Sequence, residues 1–266
     1  MNLLHLHTRS LWPVAVALGL VLLVDTARGQ RSFEAVGDSL YAHFENVGAL
    51  EAYSKAGGDA PSLSVMFKTA VAANEIAQDL EAEGKRDVAE AMYRKAIGHA
   101  EHLRDAYPDR AESWFILAAT SGKMAQFSGG KEKVRIGRAV EEFYTRSISL
   151  DSSYALAYMV AGIFNREVAQ LSWIQKLAAK ALFGGVPDGS LEQSRAYLEK
   201  ALELDKTLLI AHFELAQTYM ALGQRDKADS HLRFLRVLSP RSSEEVRVKR
   251  KAAKILASPE TNNDEL

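Results

Sequence analysis

Residues 209–242 read LIAHFELAQTYMALGQRDKADSHLRFLRVLSPRS. Within them His212, Leu215, Ala216, Tyr219, Gly223, Ala228, Leu232 and Pro240 fall at the spacings of a tetratricopeptide repeat, a 34-residue pair of antiparallel helices. Each position has a steric reason. Ala216 and Ala228 are small enough to let the two helices approach closely, and Gly223 admits the tight turn between them. Pro240 is expected to end the second helix, because it lacks an N–H and clashes with the preceding turn.

The same frame extends upstream. Gln193 to Lys206 supplies a second helix, with Ser194, Leu198 and Ala201 at its packing positions. Its first helix starts at Ala155 and carries Tyr158, Ala161 and Gly162, but about twenty extra residues intervene. Trp114, Leu117 and Ala118 open an earlier first helix whose partner, Val140 to Asp151, arrives ten residues late, after Gly129 and Gly130. The earliest unit holds Ile76, Ala77, Leu80, Gly84, Ala89, Tyr93 and Ala96, and its second helix runs on to Tyr107 with an excess of seven residues, about two helical turns. With inserts near 101–107, 128–137 and 170–189 set aside, all four units share one register. No strand-length alternation of apolar and polar residues occurs after Gln30. The expected fold is therefore all-α: a tetratricopeptide solenoid of four repeat pairs over residues 63–241. An N-terminal helical cap (30–62, with Leu40, Tyr41 and Phe44 as one apolar stripe), a C-terminal capping helix (242–258) and a disordered tail (259–266) complete it.

The chain has 266 residues, 47% hydrophobic and 25% charged, with a formal net charge of −1. That balance excludes a disordered tract and an electrostatically driven nucleic-acid binder, so no nucleic-acid partner is expected. The absence of cysteine excludes a disulfide framework, a zinc knuckle, an iron–sulfur site and a cysteine nucleophile. Leu11 to Val24 is an apolar run of 14 residues behind Arg9, shorter than a spanning helix, and Ala27 and Gly29 place small residues before a cut at Gln30. Residues 1–29 are thus expected to be a signal peptide, and the mature chain to be exported, periplasmic or secreted; an uncleaved membrane anchor is the alternative. A cysteine-free exported chain suits a bacterial periplasm. Asn263 to Leu266 resembles an endoplasmic-reticulum retrieval signal with the wrong first residue, and reads instead as a chance acidic tail.

Two segments go beyond generic repeats. One contains Gly162, Ile163, Trp173, Ala178, Leu182, Phe183, Pro187 and Glu192; the other contains Asp38, Leu40 and Tyr41 followed by the run Leu50 to Tyr53. With the inserts, they resemble the regulator of microtubule dynamics family from about Phe33 to Leu256. The resemblance implies an all-helical, non-enzymatic tetratricopeptide array. Its eukaryotic members are linked to microtubules and organelle membranes, usually through an N-terminal anchor. The expected cleavage and export depart from that pattern, so microtubule binding is not carried over.

No phosphate-binding glycine loop, zinc-protease helix or nucleophile elbow is present, so no catalytic residue, cofactor or metal is expected. His99 and His102, with Glu101 between them, offer two nitrogens on one helix face but no third ligand, and read as a solvated face. Arg166 and Glu167 read as a charged pair bridging helices. Arg247, Arg250, Lys251 and Lys254 form one basic face beside Val248, Ala252 and Ile255, either the polar outside of a cap or a peripheral membrane contact. The concave groove is expected to be lined by Asn74 and Gln78 with Val71; Phe115 and Lys123 with Ala119; Met159, Ile163 and Arg166; and Phe213, Gln217 and Met220. Its apolar bias suits a non-catalytic scaffold that binds a protein or peptide partner in the cell envelope; the alternative is a carrier of a lipid or other apolar ligand. The insert should form a short amphipathic helix ended at Gly184 and Gly185, with Trp173, Leu182 and Phe183 laid into the groove as core or lid.

Overall fold

The computed structural model describes residues 29, 32–58 and 60–257, all of whose regular elements are helical. The signal segment before Gly29, the cut before Gln30 and the tail 259–266 lie outside the described residues. Helix α1 covers residues 32–42. It is followed by α2 (Asn46–Gly57), α3 (Leu63–Ala82), α4 (Arg86–Ala106), α5 (Ala111–Met124), a 3-10 turn (Ala125–Phe127), α6 (Gly130–Leu150), α7 (Ala155–Ala169), α8 (Trp173–Phe183), α9 (Leu191–Leu204), α10 (Leu209–Ala221), α11 (Arg225–Phe234) and α12 (Ser243–Ala257). Among the described residues no helix is long and apolar enough to cross a membrane.

Four antiparallel pairs form the solenoid: α3 with α4, α5 with α6, α7 with α9, and α10 with α11. Small residues set their spacing. Ala77, Ala89, Ala96, Ala118, Ala161, Ala201, Ala216 and Ala228 are all fully buried, at positions where a longer side chain would hold the helices apart. A Cβ on Gly162 would stand 2.4 Å from Leu198 Cγ, so α7 and α9 meet at a distance that only glycine permits. Gly223 turns α10 into α11 at φ +71°, a left-handed conformation that costs glycine nothing. Hydrogen bonds fix pairs and join neighbours: within pairs Tyr93 donates to Glu81 at 2.8 Å and Ser147 to the Ala111 carbonyl at 2.8 Å, and between the last two pairs Ser194 and Thr218 share one bond at 2.9 Å. The core divides into one cluster around Tyr93, Leu103, Leu117 and Tyr144, another around Leu198, Leu215, Tyr219 and Leu232, and a small third of Ala49, Tyr53 and Ala72 where α2 meets α3.

Three elements differ from the sequence expectation. The second helix expected from Val140 starts earlier: from Gly130 the excess residues near 128–137 extend α6 at its N-terminus, with Val134 and Ile136 buried. Pro240 does not end α11, which stops at Phe234. The chain then tightens into i→i+3 bonds, Arg236 N–H to Arg233 O and Val237 N–H to Phe234 O, and Lys249 of α12 donates to the carbonyls of Leu238 at 2.6 Å and Arg236 at 3.3 Å. Third, α12 is more than an end cap: it contacts α10 and α11 and also reaches back to α3, in the first repeat.

Candidate functional site: the concave channel

The first helices α3, α5, α7 and α10 touch one another in series and form the inner wall. Every predicted lining residue on them is covered. Gln78, Phe115, Met159 and Phe213 are buried, while Asn74, Lys123, Ile163, Arg166, Gln217 and Met220 are half-buried. Along α7 and α10 the covering element is α12. Its Val248 and Ala252, 5% and 2% exposed, belong to one apolar cluster with Met159 and Phe213, and Ile163, Met220 and Ile255 pack at the edge of that cluster. On α7 and α10 the apolar residues on which the carrier reading depends are thus taken up by the chain's own helix, whereas Phe115 of α5 packs in the other core cluster, against Phe67 and Tyr154.

A polar array holds the first turns of α12. Lys123 of α5 donates to Glu244 at 2.7 Å, and Arg247 pairs with Asp79 of α3. Asn46 of α2 donates to Asp79 at 2.8 Å and to Ser243 at 3.2 Å. The Glu244 backbone N–H donates to the Glu75 carboxylate at 3.3 Å, so an acidic side chain of the first repeat accepts one of the orphan donors at the helix N-terminus. Burial, helped by the charge of Glu244, pushes the Glu75 carboxyl up to about 7. Burial also works against charge on Glu244, but Lys123, Gln78 and Arg247 override it and hold that carboxyl below its ordinary value. Deeper along the wall, Arg166 of α7 bonds Glu214 of α10 at 2.5 Å and so bridges the two helices, whereas Glu167, 3.1 Å from Arg166 on the same helix, is exposed: the bridge is Arg166 with Glu214, not the expected Arg166 with Glu167. Burial raises Glu214 despite Arg166 and Lys123. Asn74 Oδ1, Arg166 Nε and Arg247 Nη2 are among the buried polar atoms that find no hydrogen-bond partner.

The insert does not enter the channel. α8 packs against α6, the second helix of the preceding repeat: Arg138 of α6 donates to the Phe183 and Gly185 carbonyls at 2.9 and 2.8 Å, and Phe183 is half-buried beside Gly130. Leu182 is 70% exposed. The Trp173 side chain lies outside the described residues. The expected lid is therefore corrected on two grounds: α12 already fills the groove, and the lengthened α6 provides α8 with another surface. On α12 the basic face is divided, with Arg247 turned inward to Asp79 while Arg250 and Lys251 stay exposed. No group of three His, Cys, Asp or Glu able to hold a metal occurs among the described residues.

Glu75, Asp79, Glu214 and Glu244 were not visible as site residues in the sequence. Their signal is weak: Glu75 and Asp79 stand one turn apart on α3, which also carries Lys68 and Glu81, and Glu244 and Arg247 stand one turn apart on α12, but 168 residues separate Asp79 from Arg247.

The family model described as regulator of microtubule dynamics protein 1-3 matches residues 35–260. Regulator of microtubule dynamics protein 1 of Bos taurus is 25% identical over 151 residues, 55% of this chain and 46% of the relative. Regulator of microtubule dynamics protein 2 of Bos taurus is 23% identical over 208 residues, 78% of this chain and 46% of the relative. The chain spans about half the length of the curated relatives it matches. Among solved structures, a thermophilic tetratricopeptide protein of Thermus thermophilus is similar in fold, with a TM-score of 0.60 and 16% identity over 85% of this chain and 98% of that one.

Proposed function

The chain belongs to the regulator of microtubule dynamics family, and from that membership and the geometry of the channel we propose that it is a non-catalytic scaffold binding a helical segment of a partner protein where α12 now lies. The observation that carries this reading is the seating of α12. A helix fits the channel with its apolar stripe against Met159 and Phe213, with its charges met by Lys123 and Asp79, and with a first-turn backbone N–H accepted by Glu75. A partner helix with an acidic residue in its first turn and a basic residue three positions later would meet the same groups, and could also reach the unpaired atoms of Asn74 and Arg166. In this reading α12 is an intramolecular ligand that the partner displaces.

A fluorescent peptide of residues 242–257 added to the full chain tests this. Glu244→Ala/Arg247→Ala in the chain weakens the resident helix, and the peptide should then bind at least about tenfold more tightly than it binds wild type, a difference of about 1.4 kcal/mol. Adding Asp79→Lys to that variant should abolish the gain. If hydrogen exchange shows α12 released and the peptide still does not bind, the channel is not a helix receptor.

The location of the protein is part of the same proposal. The run Leu11 to Val24 with Ala27 and Gly29 supports export with cleavage before Gln30, which would keep this chain apart from the microtubules named for its relatives. N-terminal sequencing of the protein recovered from its native compartment should begin at Gln30; an intact Met1 would replace secretion by anchoring.

A further inference from the structure

Helix α8 is built as a finished helix with one face bare. Ser172 starts it with a capping box: its hydroxyl accepts the Gln175 N–H at 3.2 Å, and its own N–H donates to the Gln175 side chain at 2.8 Å. Gly184, at φ +77°, ends it by donating to the Ala179 carbonyl. Ala179 and Phe183 turn toward α6. On the opposite side Ile174, Leu177, Ala178, Ala181 and Leu182 follow at i, i+3, i+4, i+7 and i+8, one stripe along the helix. The three large ones are 60%, 58% and 70% exposed, and the stripe as a whole faces away from α6. An apolar stripe pointing straight out from a capped and anchored helix needs an occupant.

Charge selects among occupants. Residues 168–187 contain no acidic side chain, and α8 carries Lys176 and Lys180. The adjoining start of α6 exposes Lys131, Lys133 and Arg135 against one carboxylate, Glu132. Two copies of α8 face to face would set these lysines against each other with no counter-charge, and protein interface cores are depleted in lysine. An apolar stripe edged by cations and free of acids is the composition of a helix that lies in the headgroup region of an anionic bilayer. We propose that α8 is a membrane-docking helix that inserts Ile174, Leu177 and Leu182 among the acyl chains of an anionic membrane while Lys180 and the α6 cations meet its phosphates. This surface is separate from the α12 channel, and the inference stands whether or not that channel binds a partner.

The cysteine-free chain allows a local test. Leu182→Cys in the full chain, labelled with a polarity-sensitive fluorophore, should shift to the blue when mixed phosphatidylcholine–phosphatidylglycerol vesicles are added, and should not shift with phosphatidylcholine alone. The same label at Val88→Cys, exposed on α4 of the first repeat, should stay unchanged in both. Ile174→Ser/Leu177→Ser should suppress the shift at position 182 without changing the melting temperature, since both side chains are already in water. No shift at position 182, or an equal shift at position 88, would overturn the proposal. A shift that grows with protein concentration in the absence of lipid would overturn it in favour of a second copy of the chain.

Discussion

Glu75 carries a carboxyl into a site that is 5% exposed, between Tyr41 of α1, Glu244 and Arg247 of α12, and its own neighbour Asp79. Raised from 4.5 to about 7, it holds a proton in the folded chain over a pH window in which the unfolded chain has lost it. The stability this contributes is complete below pH 4.5 and is lost as pH rises through 7. Glu75→Gln keeps an oxygen for the Glu244 N–H and removes the titration. Relative to wild type, the variant should gain up to roughly 3 kcal/mol between pH 5 and pH 8. Urea melts at both values check this, and parallel profiles for the two proteins would dismiss Glu75 as the titrating group. The comparison with wild type matters because His212 and His231, paired at 2.8 Å between α10 and α11 and both lowered first by burial, act in the opposite direction as pH rises toward 6.5. None of this was legible in the sequence. A glutamate on a helix is ordinary, and its environment is made by a helix 169 residues further on.

At the scale of the element the sequence was far more informative, because the contacts that define a repeat are local. Ala216 and Ala228 are both fully buried, in the helix pair read from their spacing, and Gly223 takes the left-handed turn that pair requires. Ala228→Leu has no space to fill, so it should overpack α10 against α11 and cost about 1–3 kcal/mol; a thermal melt equal to wild type would mean that the pair is looser than its burial implies. Element ends were less legible. Pro240 forbids a helix from continuing but does not require one to reach it, and Lys249, from the next helix, satisfies the carbonyls left by the earlier stop. For α8, periodicity identified an amphipathic helix but not the surface that receives it. That surface is the lengthened α6, where Phe183 lies beside Gly130 and Arg138 donates to the carbonyls at the end of α8.

For the whole molecule, α12 changes the physics of the array. In a plain solenoid each repeat touches only its neighbours, and stability is a sum of nearest-neighbour terms. Here the last helix grips the first repeat through Arg247 and Asp79 and through the Glu244 N–H and Glu75, and grips α2 before it through Ser243 and Asn46, so the two ends of the array are coupled directly. Such a clasp should make the four pairs unfold together. Asp79→Arg and Arg247→Asp each break the clasp and leave a half-buried charge unpaired, at a cost of about 1–2 kcal/mol. The double variant restores an ion pair in reverse and should recover part of that loss, although Asn46, which donates to Asp79, has no acceptor on an arginine. Hydrogen exchange across the chain gives the decisive readout. In wild type the amides of α3 and α12 should exchange through one common opening, whereas in either single variant α12 should open separately while α3 stays protected. If α12 already exchanges independently in wild type, the clasp does not couple the ends, and the array behaves as a linear stack whose last helix merely rests in the channel.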